Sequence, residues 1–87
     1  MKNVLVIGST GQIGSELTMK LRNMIPDGNI VAGYIPGAEP KGILLESGPA
    51  EEANVKNAQQ LAGIVDKYKI DTIYNLAALL SAVAESK

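Results

Sequence analysis

The 87-residue sequence contains neither cysteine nor histidine. Without cysteine there is no disulfide framework, no thiolate nucleophile and no cysteine-based zinc site. Without histidine there is no Ser-His-Asp triad and no imidazole ligand for a metal ion. Chemistry in this sequence must therefore come from hydroxyls, carboxylates, lysines, backbone dipoles or a bound cofactor, and we predict no metal site.

Positive charge and long apolar runs are also scarce. Eight Lys and Arg residues stand against nine Asp and Glu residues, which gives a net charge of −1. With no basic cluster either, we expect no nucleic-acid partner. The longest apolar run, residues 76–80, is far shorter than the roughly 20 residues that span a bilayer. No cleavable secretory signal follows Met1. We expect a cytoplasmic protein without a membrane segment, either one small domain or a piece of a larger one.

The first half of the sequence predicts a strand, a helix and a second strand. Residues 3–7 form an apolar run without polar alternation, which is typical of a strand covered on both faces. From Gln12 the apolar residues follow a helical period, and residues 26–28, Pro-Asp-Gly, end the helix. A second strand is predicted from Asn29 to about Tyr34. The predicted apolar face of the helix consists of Ile13, Leu17, Leu21, Met24 and Ile25.

The second half predicts two more strands with a helix between them. After a loop over residues 35–41, we expect a short third strand at residues 42–45 and a turn at 47–49. Asn57 is the predicted N-cap of the next helix, with Gln60 as its reciprocal partner. A fourth strand is expected at 72–76, and residues 77–87 begin a further helical segment. The predicted apolar face of the middle helix consists of Ala58, Leu61, Ala62, Val65 and Tyr68.

This alternation of strands and amphipathic helices predicts an α/β fold of the Rossmann type. We expect a parallel sheet of about four strands in the order 3-2-1-4, incomplete, with helices on both faces. The strand order then reverses between the first and fourth strands, where sheets of this kind bind ligands outside the carboxyl ends of their strands. The fourth strand would leave an uncovered edge, and we expect self-association there.

A Gly-x-x-Gly-x-x-Gly pattern connects the first strand to the first helix. Gly8 permits a tight turn, Gly11 allows the backbone to approach a pyrophosphate, and Gly14 allows the helix to pack close to the sheet. The helix N-terminus then offers free N–H groups and partial positive charge to the phosphates. The alternative is a glycine-rich turn with no ligand. A Walker-type phosphate loop is excluded, because no Gly-Lys-Ser/Thr follows.

Together with residues 75–78, Asn-Leu-Ala-Ala, this pattern and the element order resemble the extended short-chain dehydrogenase/reductase superfamily of NAD-dependent epimerases and dehydratases. Within it, residues 11–17, 47–49 and 77–82 resemble the L-threonine 3-dehydrogenases related to nucleotide-sugar epimerases. The resemblance covers essentially the whole sequence but only the N-terminal part of those enzymes. It implies that residues 1–87 are the N-terminal part of an NAD-binding Rossmann domain, without the substrate lobe.

The resemblance also implies roles for individual residues. Five residues would hold the NAD pyrophosphate, namely Gly8, Gly11, Gln12, Ile13 and Gly14. Asn54 and Val55 would flank the adenine, whereas Leu76, Ala77 and Ala78 would line the cofactor near its adenosine and ribose. Ser81 would reach toward the amino-acid substrate, L-threonine. Without the resemblance, each of these residues has an ordinary structural explanation. Asn54 also fits a loop residue, residues 76–78 fit buried core residues, and Ser81 fits a helix cap.

The sequence departs from the resembled pattern at Tyr34. The acid expected at the end of the second strand, which would accept both adenosine ribose hydroxyls, aligns with this residue. A tyrosine can form one hydrogen bond or stack on adenine, but it does not replace a bidentate, charge-assisted pair. It also fits a half-buried strand residue. No arginine is close enough in sequence to indicate a 2′-phosphate.

The catalytic Tyr-x-x-x-Lys pair of the superfamily is missing from these residues. The position four residues after Tyr34, Tyr68 and Tyr74 holds Ala, Thr and Ala respectively, so no lysine is placed to lower a phenol pKa. We therefore predict no catalytic residue in this sequence. The predicted function is NAD(H) binding as the N-terminal part of an oxidoreductase that converts L-threonine to 2-amino-3-oxobutanoate. A non-catalytic nucleotide-binding or assembly module and another NAD-dependent sugar epimerase or dehydratase are the alternatives.

Overall fold

A computed structural model describes residues 1–76. Its four strands form one parallel sheet in the order β3-β2-β1-β4, which confirms the predicted architecture. The predicted helical segment at 77–87 lies outside the described residues. Along the chain, the elements are β1 (Asn3–Ile7), α1 (Gln12–Met24), β2 (Asn29–Tyr34), α2 (Ile43–Glu46), β3 (Ala50–Glu52), α3 (Ala58–Tyr68) and β4 (Thr72–Asn75).

The central strand β1 supplies apolar side chains to both faces of the sheet. Because successive strand residues point in opposite directions, Val4 and Val6 pack with Leu21 of α1 on one face. Leu5 and Ile7 pack with Ile64 of α3 on the other face. The helices therefore cover both faces, as predicted, and the continuous apolar run of β1 is explained by this double burial.

The buried face of α1 differs from the predicted one. Ile13 and Met24 are 58% and 61% exposed, whereas Gly14, Thr18 and Leu21 are buried. The reason is a close approach at Gly14, where an added Cβ would lie 2.1 Å from the Gly8 carbonyl oxygen. The face of α1 that packs most closely therefore consists partly of small residues. A pattern of large apolar side chains does not identify such residues.

The predicted third strand at 42–45 is wrong. Residues 43–46 form the short helix α2, and the strand lies further along at Ala50–Glu52. Only Leu44 of α2 points into the core, since Ile43 and Leu45 are 66% and 52% exposed. The true β3 carries two glutamates and is held by backbone hydrogen bonds to β2, so its composition gave no strand signal.

The helix α3 begins where the sequence predicted, with Asn57 as its N-cap residue. The Asn57 side chain accepts a hydrogen bond from the Gln60 N–H at 3.0 Å, but the Gln60 side chain accepts from Asn54 N–H instead of reaching back to Asn57. The predicted apolar face was partly wrong, because Ala58 and Ala62 are exposed. The packed side chains follow an i, i+3, i+7 spacing and are Leu61, Ile64 and Tyr68.

Candidate functional site

The turn between β1 and α1 lies at the carboxyl edge of the sheet, beside the point where the strand order reverses. Gly8 has a φ of 83°, a left-handed conformation that glycine adopts without the steric cost of a Cβ. The fully buried Ser9 ties the turn to β2, because its N–H and its hydroxyl donate to the Gly33 carbonyl at 3.1 and 2.8 Å. The turn is thus built into the sheet and held in one conformation.

The N-terminus of α1 presents backbone N–H groups without a side-chain cap. Gly11 is the N-cap residue, it forms no side-chain hydrogen bond, and the first turn holds no acidic residue. The partial positive charge of the helix end is therefore not offset by a carboxylate from its own first turn. Gly11 has an ordinary φ of −72°, so no backbone strain requires glycine there. This arrangement suits a negatively charged group.

A cavity of about 380 Å³ opens beside this turn. Its volume falls within the range of about 300–1,000 Å³ that is typical of small-molecule sites. The walls are largely apolar, with polar groups from Thr10, Tyr34 and Asn54, and no charged side chain of residues 1–76 lines it. The lining residues are Ile7, Gly8, Thr10, Gly11, Tyr34, Ile35, Ala38, Ala53, Asn54 and Val55. Such a cavity fits a flat, largely apolar ring with a few hydrogen-bonding groups.

A hydrogen-bond chain fixes the wall of the cavity that follows β3. The Asn54 N–H donates to Gln60 Oε1 at 2.7 Å, and Asn54 Oδ1 accepts from the Lys56 N–H at 2.9 Å. Gln60 Nε2 in turn donates to Glu52 Oε2 at 3.0 Å. The Asn54 side chain is therefore held by its own turn, and the Glu52 carboxylate is directed to α3.

A larger, more open cleft of about 710 Å³ adjoins the cavity and shares Thr10 and Ala38 with it. Unlike the cavity, it is lined by charged side chains, those of Glu16, Glu39 and Lys41. Glu39 is exposed and accepts a hydrogen bond from the Gly37 N–H at 3.0 Å. This backbone hydrogen bond lowers the pKa of Glu39. The cleft also has apolar walls, among them Met19, Ile43 and Leu44, but its lining as a whole is more polar than that of the cavity.

Five of the predicted site residues come together around the cavity, namely Gly8, Gly11, Tyr34, Asn54 and Val55. Gln12 and Ile13 lie exposed at the start of α1, and Gly14 is buried behind the turn. Leu76 packs on the core at the α1 face of the sheet. Ala77, Ala78 and Ser81 lie outside the described residues.

The sequence reasoning missed five residues that line the cavity, Ile7, Thr10, Ile35, Ala38 and Ala53. Thr10 and Ala53 could have been predicted, because Thr10 lies inside the glycine pattern and Ala53 directly precedes Asn54. Ile35 and Ala38 belong to a proline-containing loop whose path no periodicity predicts.

Two further properties concern residues 1–76. This part of the chain contains no group of three or more His, Cys, Asp or Glu residues able to hold a metal ion. No helix described there has both the length and the apolar character needed to cross a membrane.

Comparison with known proteins identifies a family over almost the whole chain. Residues 4–87 match the model of the NAD dependent epimerase/dehydratase family. An uncharacterized epimerase/dehydratase of Staphylococcus saprophyticus is 39% identical over 98% of this chain, and one of Staphylococcus aureus strain USA300 is 34% identical over 98%. Each match covers 26% of the relative.

A solved structure is similar in fold and in sequence. The L-threonine dehydrogenase from Clostridium difficile matches all of this chain with a TM-score of 0.80 and 46% identity, and the match covers 27% of that protein. The chain therefore spans about a quarter of the length of the relatives it matches.

Proposed function

Because the chain belongs to the NAD dependent epimerase/dehydratase family, we propose that its β1–α1 turn and the adjoining cavity bind NAD(H). The observation that carries the proposal is the turn itself. Gly8 is in a left-handed conformation, and Gly14 packs so closely that a Cβ there would lie 2.1 Å from the Gly8 carbonyl oxygen. This close approach aims the uncapped N-terminus of α1 at the carboxyl edge of the sheet, where a pyrophosphate is bound in folds of this type.

The residues present fit the pyrophosphate and the adenine of such a cofactor. Backbone groups of Gly8, Gly11, Gln12, Ile13 and Gly14 form the segment that would hold the pyrophosphate. The apolar walls of the cavity suit adenine, with Asn54 and Val55 beside it. We further propose that Leu76, Ala77 and Ala78 line the cofactor near its adenosine and ribose. The bound cofactor would supply hydride acceptance and donation at its nicotinamide ring.

For the whole protein, we propose an oxidoreductase of which residues 1–87 are the N-terminal part of the NAD-binding domain. Similarity to the L-threonine dehydrogenase from Clostridium difficile supports oxidation of the β-hydroxyl of L-threonine, with Ser81 near the substrate. The names of the staphylococcal relatives favour a second candidate, an epimerase or dehydratase reaction on another small molecule. A cytoplasmic location and self-association through the outer edge of β4 stay predictions.

Isothermal titration of the chain with NAD tests the binding proposal. The informative variant is Gly11→Val, because the φ of −72° at Gly11 accepts any residue while the new side chain would stand at the N-terminus of α1. We expect Gly11→Val to weaken NAD binding by about tenfold or more while its thermal unfolding stays close to that of the parent. The control is Gly63→Ala, because an added Cβ there meets no other part of the described structure within 4 Å beyond its own helix backbone and chain neighbours. This variant should bind as the parent does. Unchanged affinity in Gly11→Val would contradict the proposal.

A hybrid protein tests whether residues 1–87 can serve as the N-terminal part of an L-threonine dehydrogenase. Residues 1–87 would replace the matching N-terminal segment of the Clostridium difficile L-threonine dehydrogenase, and NADH formation from L-threonine would be followed by absorbance. A folded hybrid that binds NAD but forms no NADH from L-threonine would favour the second candidate.

A further inference from the structure

We infer that the cavity at the carboxyl ends of β1 and β2 accepts NADP(H) about as readily as NAD(H), and that Tyr34 is the residue responsible. The inference rests on the proposed function and concerns the adenosine end of the same site. Tyr34 is the last residue of β2, is half-buried, and lines the cavity. It therefore occupies the position from which this fold reads the adenosine ribose.

A carboxylate at that position has two effects. It accepts hydrogen bonds from the ribose hydroxyls, which favours NAD, and its charge repels a 2′-phosphate, which excludes NADP. The uncharged phenol of Tyr34 provides neither the paired acceptor oxygens nor the repulsion. Both contributions to NAD selectivity are therefore missing from the end of β2.

The nearby carboxylates are engaged elsewhere and do not compensate. Glu52 is the register partner of Tyr34 in β3, but its carboxylate accepts a hydrogen bond from Gln60 Nε2 at 3.0 Å on the side of α3. Glu39 accepts from the Gly37 N–H within its own loop and lines the larger cleft. Neither residue lines the cavity.

The neighbouring cleft leaves room for a phosphate without strongly attracting one. It meets the cavity at Thr10 and Ala38 and carries the ammonium of Lys41 together with the hydroxyl of Ser15. Glu16 and Glu39 line the same cleft, so positive charge does not predominate there. The expected property is therefore low selectivity and not a preference for NADP.

Isothermal titration of the full chain with NAD and with NADP tests the inference by binding alone. We expect the two dissociation constants to differ by less than about tenfold. Tyr34→Asp should weaken NADP binding about tenfold or more relative to NAD, since it restores both the acceptor and the repulsion. The matched control Tyr34→Phe keeps the ring without a charge and should retain the selectivity of the parent chain.

The outcomes separate this inference from the proposed function. If the parent chain binds NAD more than about tenfold tighter than NADP, the inference is overturned while the proposed function stands. If it binds neither dinucleotide, the proposed function fails, and the inference fails with it. Because the parent chain alone decides between these results, the test does not depend on whether Tyr34→Asp folds. A folded Tyr34→Asp with the selectivity of the parent would overturn the role given to Tyr34.

Discussion

The guanidinium of Arg22 in α1 donates a hydrogen bond of 2.7 Å to the carbonyl of Pro49, the residue before β3. It also donates to the carbonyls of Ile30 and Leu44. The ladder between β2 and β3 begins only at Ala32, so the Ile30 carbonyl precedes the part of β2 that pairs with β3. The Arg22 guanidinium therefore supplies a hydrogen-bond donor to the Ile30 carbonyl, which the short β3 does not reach. Through this one side chain, α1 is connected to α2 and to the residue before β3.

We predict that Arg22→Lys lowers the free energy of unfolding by about 2 kcal/mol or more. A lysine ammonium cannot reach three separate carbonyls in the way that the planar guanidinium does. The Pro49 carbonyl also accepts from the Ala32 N–H, but each part-buried carbonyl of Ile30 and Leu44 that loses its Arg22 donor costs about 1–3 kcal/mol. Urea denaturation measures the effect. The exposed Lys20 on the same helix provides the control, since Lys20→Gln should change stability by less than about 0.5 kcal/mol. Equal midpoints for Arg22→Lys and the parent chain would show that the guanidinium contributes little.

Two glycines in helices should respond in opposite directions to the same added methyl group. At Gly14 a Cβ would lie 2.1 Å from the Gly8 carbonyl oxygen, whereas at Gly63 it would meet nothing of residues 1–76 within 4 Å beyond its own helix backbone and chain neighbours. We expect Gly14→Ala to destabilise the chain by about 1–3 kcal/mol, because the turn must move. Gly63→Ala should stabilise it by up to about 1 kcal/mol through helix propensity. Thermal or urea unfolding of both variants checks this, and a harmless Gly14→Ala would argue against the close packing of turn and helix.

The elements that could be predicted are those whose own residues carry a recognisable pattern, such as an apolar run or an N-cap. β1 is flanked by strands on both sides and covered on both faces, so its continuous apolar run is an unambiguous signal. The helix α3 was found from Asn57, whose side chain accepts from the Gln60 N–H as an N-cap does. β3 was misplaced because its residues, Ala50–Glu52, pair through the backbone, and Arg22 from a distant part of the chain holds Pro49 just before it. No local pattern encodes such a contact.

The candidate site, too, could be predicted from the sequence only where a local pattern or the family resemblance indicated it. The glycines were predicted because a strand-to-helix turn needs them at fixed positions, and Gly8 and Gly14 show why. The position of Tyr34 followed from the predicted end of β2 together with the family resemblance, whereas Asn54 and Val55 followed from the resemblance alone, because β3 was misplaced. Ile35 and Ala38 could not be predicted, because they come to the cavity through a loop without periodicity.

The Asp71 carboxylate joins the start of β1 to the start of β4, and it gives the final prediction. Asp71 Oδ2 accepts hydrogen bonds from the N–H groups of Asn3 and Lys2 at 2.9 and 3.0 Å, and its Oδ1 accepts from the Thr72 hydroxyl at 2.7 Å. The Asn3 hydrogen bond is the largest cause that lowers the pKa of Asp71 from 3.8 to about 2.

Because the pKa of Asp71 is lower in the folded chain, its contribution to stability is present above about pH 4 and is lost as the pH falls toward 2. We therefore expect Asp71→Asn to have a lower melting temperature than the parent at neutral pH, and the difference to shrink between about pH 4 and pH 2. Melting temperatures across this range measure it. Asp27→Asn, on an exposed turn, removes a carboxylate without touching β1 and is the control. A difference that stays constant with pH would mean that the ionised Asp71 does not hold the two strands together.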